Sequence, residues 1–440
     1  MRWQTLAGVA LLVAAPAQAK DYTLAEDLKP GDCFRVRLTL KLTGQMRFQR
    51  DGKLVPVALS AAAEHEFSER VLAPGNAGMA EKVARFYDKA AATISVGKDR
   101  TERGLRPEHR LSVAQRYKDI PLVFCPNGPL SRQELELTSE HFDTLHLAGL
   151  LPGKAGSVGT TWKVANSVAQ ALCNFEGLTE QDLTCKLEQV NEKEARVSVK
   201  GTATGIDVGA QVKMTVDAVY RFDLSAGRLV WLEWKQKDER EQGPASPATT
   251  VETTTTLTRS PIAQPASLGD EALTRVPKGE EVPPQMLQLD YQDTKGRFDL
   301  LYGREWHIVS RSDEHTVMRL MDRGDFVAQV TITPWTPAPK GKPHLSAEEF
   351  KKAMNETAGW QPNTEIQAGE VPTEQGRWVY RLSMQGHLDG LEVVQHFYLV
   401  AHEDGRQVVL AFTMTPKQAE RIGTRDLSLV GSLDFPPAKK

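Results

Sequence analysis

Residues 377–414 constrain the fold more tightly than any other stretch of the chain. From Arg377, Trp378, Tyr380, Leu382 and Met384 alternate with Val379, Arg381 and Ser383, the period of two that marks a strand with one strongly apolar face. The next two runs are apolar on both faces. Val393, Phe397 and Leu399 oppose Val394, Tyr398 and Val400, and Val408, Leu410, Phe412 and Met414 oppose Val409 and Ala411. Strands of that kind must be covered on both sides, so the pattern predicts a sheet between layers. Covering helices are signalled nearby. Ser346-Ala347-Glu348-Glu349 is a capping box opening a helix to about Thr357 that stops at Gly359, and Thr415-Pro416-Lys417-Gln418 opens the final helix.

A chain of 440 residues predicts about two to three domains. The formal net charge of -3 provides no global attraction to nucleic acid or to an anionic membrane. Residues 1–19 read as a signal peptide: Arg2, an apolar run from Leu6 to Ala15, and Ala17-Gln18-Ala19 before Lys20. That run falls short of the roughly 20 apolar residues needed to span a bilayer. Export is therefore expected, periplasmic or secreted, with no transmembrane segment. An oxidising compartment makes Cys33, Cys125, Cys173 and Cys185 candidates for disulfides. Of the three possible pairings, the preferred one joins Cys173 with Cys185, which are close in sequence, and Cys33 with Cys125, which would tie the domain's first strand to its middle.

Residues 20–259 read as a β-rich N-terminal domain of long curved antiparallel strands with two short helices. Alternating runs flank Asp51-Gly52, a strong hairpin signal. Met79 to Ala92 carries Val83, Phe86, Tyr87 and Ala90 at helical spacing, and the capping box Ser131-Arg132-Gln133-Glu134 opens a helix ending by Gly149. Long strands follow over Ala195–Thr204, Ala210–Leu224, Arg228–Lys237 and Thr249–Thr258, a length at which antiparallel sheets curl into half-barrels. Residues 260–297, rich in Pro and Gly, read as an extended linker. Residues 298–440 form an α+β domain of antiparallel sheet and helices.

The segments "GPLSRQELEL", "HFDTLHLAGLLPGKAGSVGTTWKV" and "YRFDLSAGRLVWLEWKQKDEREQGPASPA" resemble an uncharacterised family of secreted bacterial proteins, which implies no particular activity. The C-terminal part, from "YGREWHIV" through "WVYRLSMQG" to "FTMTPKQAERIGTRDLSLVGSLDF", resembles the PsbP-like α/β/α sandwich. That fold is shared by a photosystem II extrinsic subunit, a nuclear Ran-binding protein and exported bacterial proteins, and the resemblance implies a binding or assembly factor.

Chemistry-bearing motifs are sparse. His141 and His146, five apart on an expected helix, diverge by about 140° and do not share a metal. "EHEF" at Glu64–Phe67 lacks the second histidine of a zinc-protease helix and reads as an exposed strand face. No nucleophile elbow, P-loop or dinucleotide glycine run occurs. Arg319, Arg381 and His396 lie on expected sheet strands. Sharing a face, they would hold an anion; otherwise the arginines pair with carboxylates such as Asp322. The segment Lys82–Lys118 intersperses both signs of charge, as in a solvated hairpin. Trp231 and Trp234, with Tyr220 and Phe222, either line a lipophile cavity or fill a core. The expectation is a non-enzymatic exported binding protein with no cofactor, no metal site and no nucleic-acid partner. Its ligand is a protein partner or, alternatively, a lipid or other lipophile carried by the N-terminal domain.

Overall fold

The long hairpin after Lys20 sets the architecture. The computed structural model describes residues 20–50, 53–117, 120–139, 142, 144–373 and 376–437, so the expected signal segment, the Asp51-Gly52 turn and His141 lie outside the described residues. After a two-residue strand β1 (Tyr22–Thr23), β2 (Cys33–Arg50) and β3 (Lys53–Pro74) pair antiparallel from Cys33↔Arg70 to Arg50↔Lys53. The two strands are those that the alternating runs on either side of Asp51-Gly52 predict. β4 (Ala80–Val96) extends the ladder; β5 (Asp99–Gly104) and β6 (Leu111–Tyr117) both pair with it, and β7 (Ile120–Phe124) lies beyond β6.

Next, β8 (Leu130–Ser131) leads into α1 (Arg132–Ser139), and β9 (Ala155–Gly156) pairs with β1. Then come β10 (Thr161–Lys163), α2 (Asn166–Leu172), β11 (Gly177–Gln181), β12 (Thr184–Val190) and β13 (Glu194–Asp207). Three long strands follow: β14 (Ala210–Asp223), β15 (Arg228–Arg240) and β16 (Ala248–Pro261). Together they complete a 13-stranded sheet of order β10-β12-β13-β14-β15-β16-β2-β3-β4-β6-β7, with β11 on β13 and β5 on β4. On β14, Val212, Met214, Val216, Ala218, Tyr220 and Phe222 are all buried and alternate with more exposed residues. They define the sheet's inner face, continued on β2 by Phe34, Val36 and Leu38.

The helix expected over Met79–Ala92 is instead β4. Near its start this strand is buried on both sides, with Val83 and Tyr87 on the inner face and Lys82 and Ala84 on the outer. A strand covered twice loses its period of two, and the 3–4 spacing that mimics a helix is what remains.

The outer cover is residues 260–297, the expected linker. Their backbone is irregular, but the segment is a strap pinned to the sheet. Leu268 packs with Ala84 and Leu111, and Val276 with Val113 and Phe124. Arg70 donates to Leu268 O at 2.8 Å and Lys82 to Gly279 O at 3.1 Å. The strap ends in a short helix α3 (Pro284–Leu287) and β17 (Leu289–Gln292). With β18 (Asp299–Tyr302), β17 forms a three-stranded sheet in which it runs parallel to β8.

A seven-stranded antiparallel sheet completes the chain. Its strands are β19 (Trp306–Arg311), β20 (Thr316–Asp322), β21 (Asp325–Trp335), β22 (Trp360–Glu370), β23 (Arg377–Leu388), β24 (Leu391–His402) and β25 (Gln407–Met414), in the order β19-β20-β21-β25-β24-β23-β22. The helices are α4 (Ala347–Asn355), α5 (Pro416–Ile422) and α6 (Arg425–Ser432). Phe350 and Met354 of α4 pack on Leu382, Phe397 and Leu399, while Ile422, Leu429 and Val430 of α5 and α6 belong with Tyr398, Leu410 and Phe412 in the core on the other face. The two-sided apolarity is thus accounted for, and both capping boxes are formed. Strands make up 55% and helices 15%, so antiparallel sheet dominates. One cluster of buried apolar side chains contains both Trp234 and Phe412.

The disulfide expectation is corrected: all four cysteines are free and buried. Cys33 opens β2 and Cys125 follows β7, four steps apart in sheet order. At about 4.8 Å per step that exceeds the roughly 4.4–6.8 Å Cα separation a disulfide spans. Cys173 caps α2, and the Cys185 thiol donates to Leu150 O at 3.6 Å. Burial raises both of these thiols to about 12, as suits inert apolar packing.

Candidate functional site

Past Leu38 the long hairpin outruns its cover. The register stacks Leu40 with Ala63 and Ala92, Leu42 with Ala61 and Ile94, and Gly44 with Leu59 and Val96. These rows continue the buried inner face, yet Leu40, Leu42, Leu59, Ala61, Ile94 and Val96 are only half-buried. At the far end Phe48 and Val55, which pair, are 41% and 39% exposed. The reverse face carries exposed Lys41, Thr43, Gln45 and Ser60. The result is a wing whose inner side is the more apolar, although the reverse side also carries Leu54, 56% exposed. Contiguous exposed apolar surface is a common feature of interaction sites in general.

Beside the wing, where α1, β5, β17 and β19 meet, lies a cleft of about 470 Å³. Four arginines line it: Arg103, Arg106, Arg132 and Arg311. The α1 capping box positions one wall, since Ser131 N donates to Glu134 at 2.9 Å and Glu134 N donates to Ser131 Oγ at 3.2 Å. Arg106 donates to Glu134 at 2.6 Å and to Asp290 at 2.9 Å, joining α1 to β17. Burial opposes ionisation of Glu134, but hydrogen bonds from His109 and Arg106 outweigh it and hold the carboxyl far below its usual range. Arg103 pairs with Glu136 at 2.5 Å. Arg311, exposed, lies 5.7 Å from the Tyr291 ring centroid. Tyr302, only 2% exposed, also lines the cleft, with Arg132 within reach of its hydroxyl.

The residues singled out in the sequence fare differently. Arg381 and His396 do meet, around a carboxylate on α6. His396 Nδ1 lies 3.0 Å from Asp426 Oδ2 and 3.2 Å from Arg381, while the Tyr398 hydroxyl donates to Asp426 at 2.7 Å. Burial would raise Asp426, yet hydrogen bonds from His396 and Tyr398 keep it low. This is a filled, buried tether between the sheet and α6, which leaves no room for an anion. Arg319 is on the opposite face, in register with Gln329 and Thr413, and its guanidinium donates to Gln329 and to Pro244 O. Asp322 pairs with Arg425 at 3.4 Å, so the arginine's expected carboxylate goes elsewhere.

Trp234 is fully buried with Phe142 at 5.1 Å, a core residue. Trp231 faces outward under Arg221, at 4.7 Å from its ring centroid, beside a polar pocket of about 370 Å³. The two tryptophans do not line one cavity. In "EHEF", His65 and Phe67 are buried on the inner face, a correction to the exposed reading; burial lowers His65 to about 4. Sequence reasoning missed the cleft. Its signals were Arg103 and Arg106 in the charged segment and Glu134 in the capping box, but nothing local pairs them with Asp290 or Tyr302.

The fold and these surfaces define a predominantly antiparallel α+β protein with a polar cleft and an uncovered apolar face. No family model matches the chain and no curated protein matches it. Among solved structures, it is similar to the cyanobacterial PsbP (CyanoP) of Synechocystis sp. PCC 6803, at 16% identity over 36% of this chain and 96% of that one, with a TM-score of 0.27. It is also similar to the Ran-binding protein Mog1p of Saccharomyces cerevisiae, at 11% identity over 34% and 95%, TM-score 0.27. Lipovitellin matches at 9% identity over 55% of this chain and 26% of its own, TM-score 0.30. These likenesses are weak, and those to PsbP and Mog1p cover about a third of the chain. No helix among the described residues is long and apolar enough to cross a membrane.

Proposed function

We propose that the protein is an exported, non-enzymatic binding protein whose ligand surface is the inner face of the wing formed by β2, β3 and β4. The observation that carries this is the exposure of Phe48 and Val55 at the end of a face that is buried at its base. Leaving such a face in water is unfavourable by roughly 25 cal/mol per Å², so an occupant that covers it gains that term. The signal-like first 19 residues support export. The tightly packed base around Tyr220 and Trp234 argues against a closed lipophile cavity deeper in the sheet and favours an open surface.

The test is titration with the neutral apolar dye Nile red. The purified chain should enhance its fluorescence, and the double variant Leu42→Asp, Ile94→Asp should lose the enhancement while keeping its circular dichroism. A wild-type chain that leaves the dye dark, or a double variant that binds it equally, removes the wing as the binding surface.

A further inference from the structure

From the juxtaposition of wing and cleft we infer that the ligand is an anionic amphiphile, with its alkyl chain on the apolar wing and its acid group, carboxylate or phosphate, in the arginine cleft. This rests on the wing being the binding surface. The two features are contiguous through β5. Arg103, a cleft residue, is the register partner of Ala92, and directly opposed residues of an antiparallel pair point to the same face. Ala92 in turn stands beside Ala63 and Leu40 in the apolar rows. A chain lying along those rows therefore runs toward the arginines.

The cleft suits a charged headgroup on three counts. Its volume of about 470 Å³ is within the range of small-molecule sites and small for a folded partner. Its carboxylates are already engaged, Glu134 and Asp290 by Arg106 and Glu136 by Arg103, which leaves them poor competitors for incoming cations. One donor is left over: among the described residues the exposed Arg311 contacts only the Tyr291 ring, whereas Arg132 donates to Arg304 O and Trp306 O. An acid oxygen at Arg311 would gain a charge-assisted hydrogen bond. Small side chains at Ala61, Ala63, Ala90 and Ala92 leave a smooth floor on which an alkyl chain can lie.

Three probes with the same twelve-carbon chain separate these contributions: dodecanol, dodecanoate and dodecyl phosphate, titrated calorimetrically into the full chain. The anions should bind about tenfold or more tighter than the alcohol. Arg311→Gln, an exposed substitution that leaves the fold intact, should abolish that preference without weakening dodecanol. Whichever of the two anions binds tighter identifies the acid class. Equal affinity for alcohol and anions overturns the assignment, as does a preference that survives Arg311→Gln. In either case the Nile red result stands by itself, so loss of the headgroup site is distinguishable from loss of the wing. Binding of inorganic phosphate alone, competed by dodecyl phosphate and weakened by Arg311→Gln, would support the cleft directly.

Discussion

The seven-stranded sheet and the wing of the 13-stranded sheet are built on the same antiparallel alternation, and they end in opposite conditions. In the smaller sheet, α4 covers one face and α5 with α6 the other, so that Phe397 and Phe412 are 2% and 0% exposed. In the wing, Leu42 and Ile94 occupy equivalent inward positions and are only half-buried, with no helix among the described residues packed on them as α4 is on Phe397. An apolar strand face is therefore a demand for cover, and the chain meets that demand in one region while leaving it open in the other.

Three experiments break or sharpen this contrast. The largest effect belongs to Asp426→Ala, which strands Arg381 and His396 against α6 and should cost about 3–5 kcal/mol in urea unfolding; a loss below about 1 kcal/mol would mean that α6 is held by apolar packing alone. Next, Phe397→Ala should cost about 3–4 kcal/mol, and Ile94→Ala less than about 1 kcal/mol. Equal costs would erase the distinction between covered and open faces.

The smallest is a pH effect at the border between the covered base and the wing. Folded His65 is lowered to about 4 by burial, against about 6.5 for an unfolded histidine. The unfolded state thus takes up the proton first, so this residue's contribution is complete above pH 6.5 and declines as pH falls toward 4, by at most about 3 kcal/mol. Burial raises Asp238 to about 6, which acts oppositely: its contribution is present below the ordinary aspartate range and is lost as pH rises through 6. His65→Gln should flatten the acid limb of a stability profile and Asp238→Asn should steepen it. Unchanged limbs in both variants would show that neither group is buried in solution.

How legible this was in the sequence depended on how local each determinant is. The meander from Arg377 to Met414 and the boxes at Ser131, Ser346 and Thr415 were readable because three or four neighbouring residues decide each. β4 was misread because its cover, the strap around Leu268 and Val276, comes from more than 160 residues downstream. β22 was invisible: an edge strand with Pro362, two bulges and mostly exposed polar residues carries no alternation. Arg381 and His396 meet, without Arg319, and their partner Asp426 sits on a helix that their own strands do not announce. The cleft was beyond reach for the same reason, since Arg106, Glu134 and Asp290 meet only after distant strands pair.

That pairing also orders events in time. Leu130 of β8 aligns with Leu289 of β17, and 289 − 130 = 159 residues separate them. At about 5–20 residues per second of synthesis, the second strand follows the first by roughly 10–30 s. Until then the emerging chain owns a greasy hairpin and half of a charged pocket. Under the proposed reading headgroup recognition would be a late acquisition, and a fragment ending before residue 289 would present the apolar wing without the complete cleft.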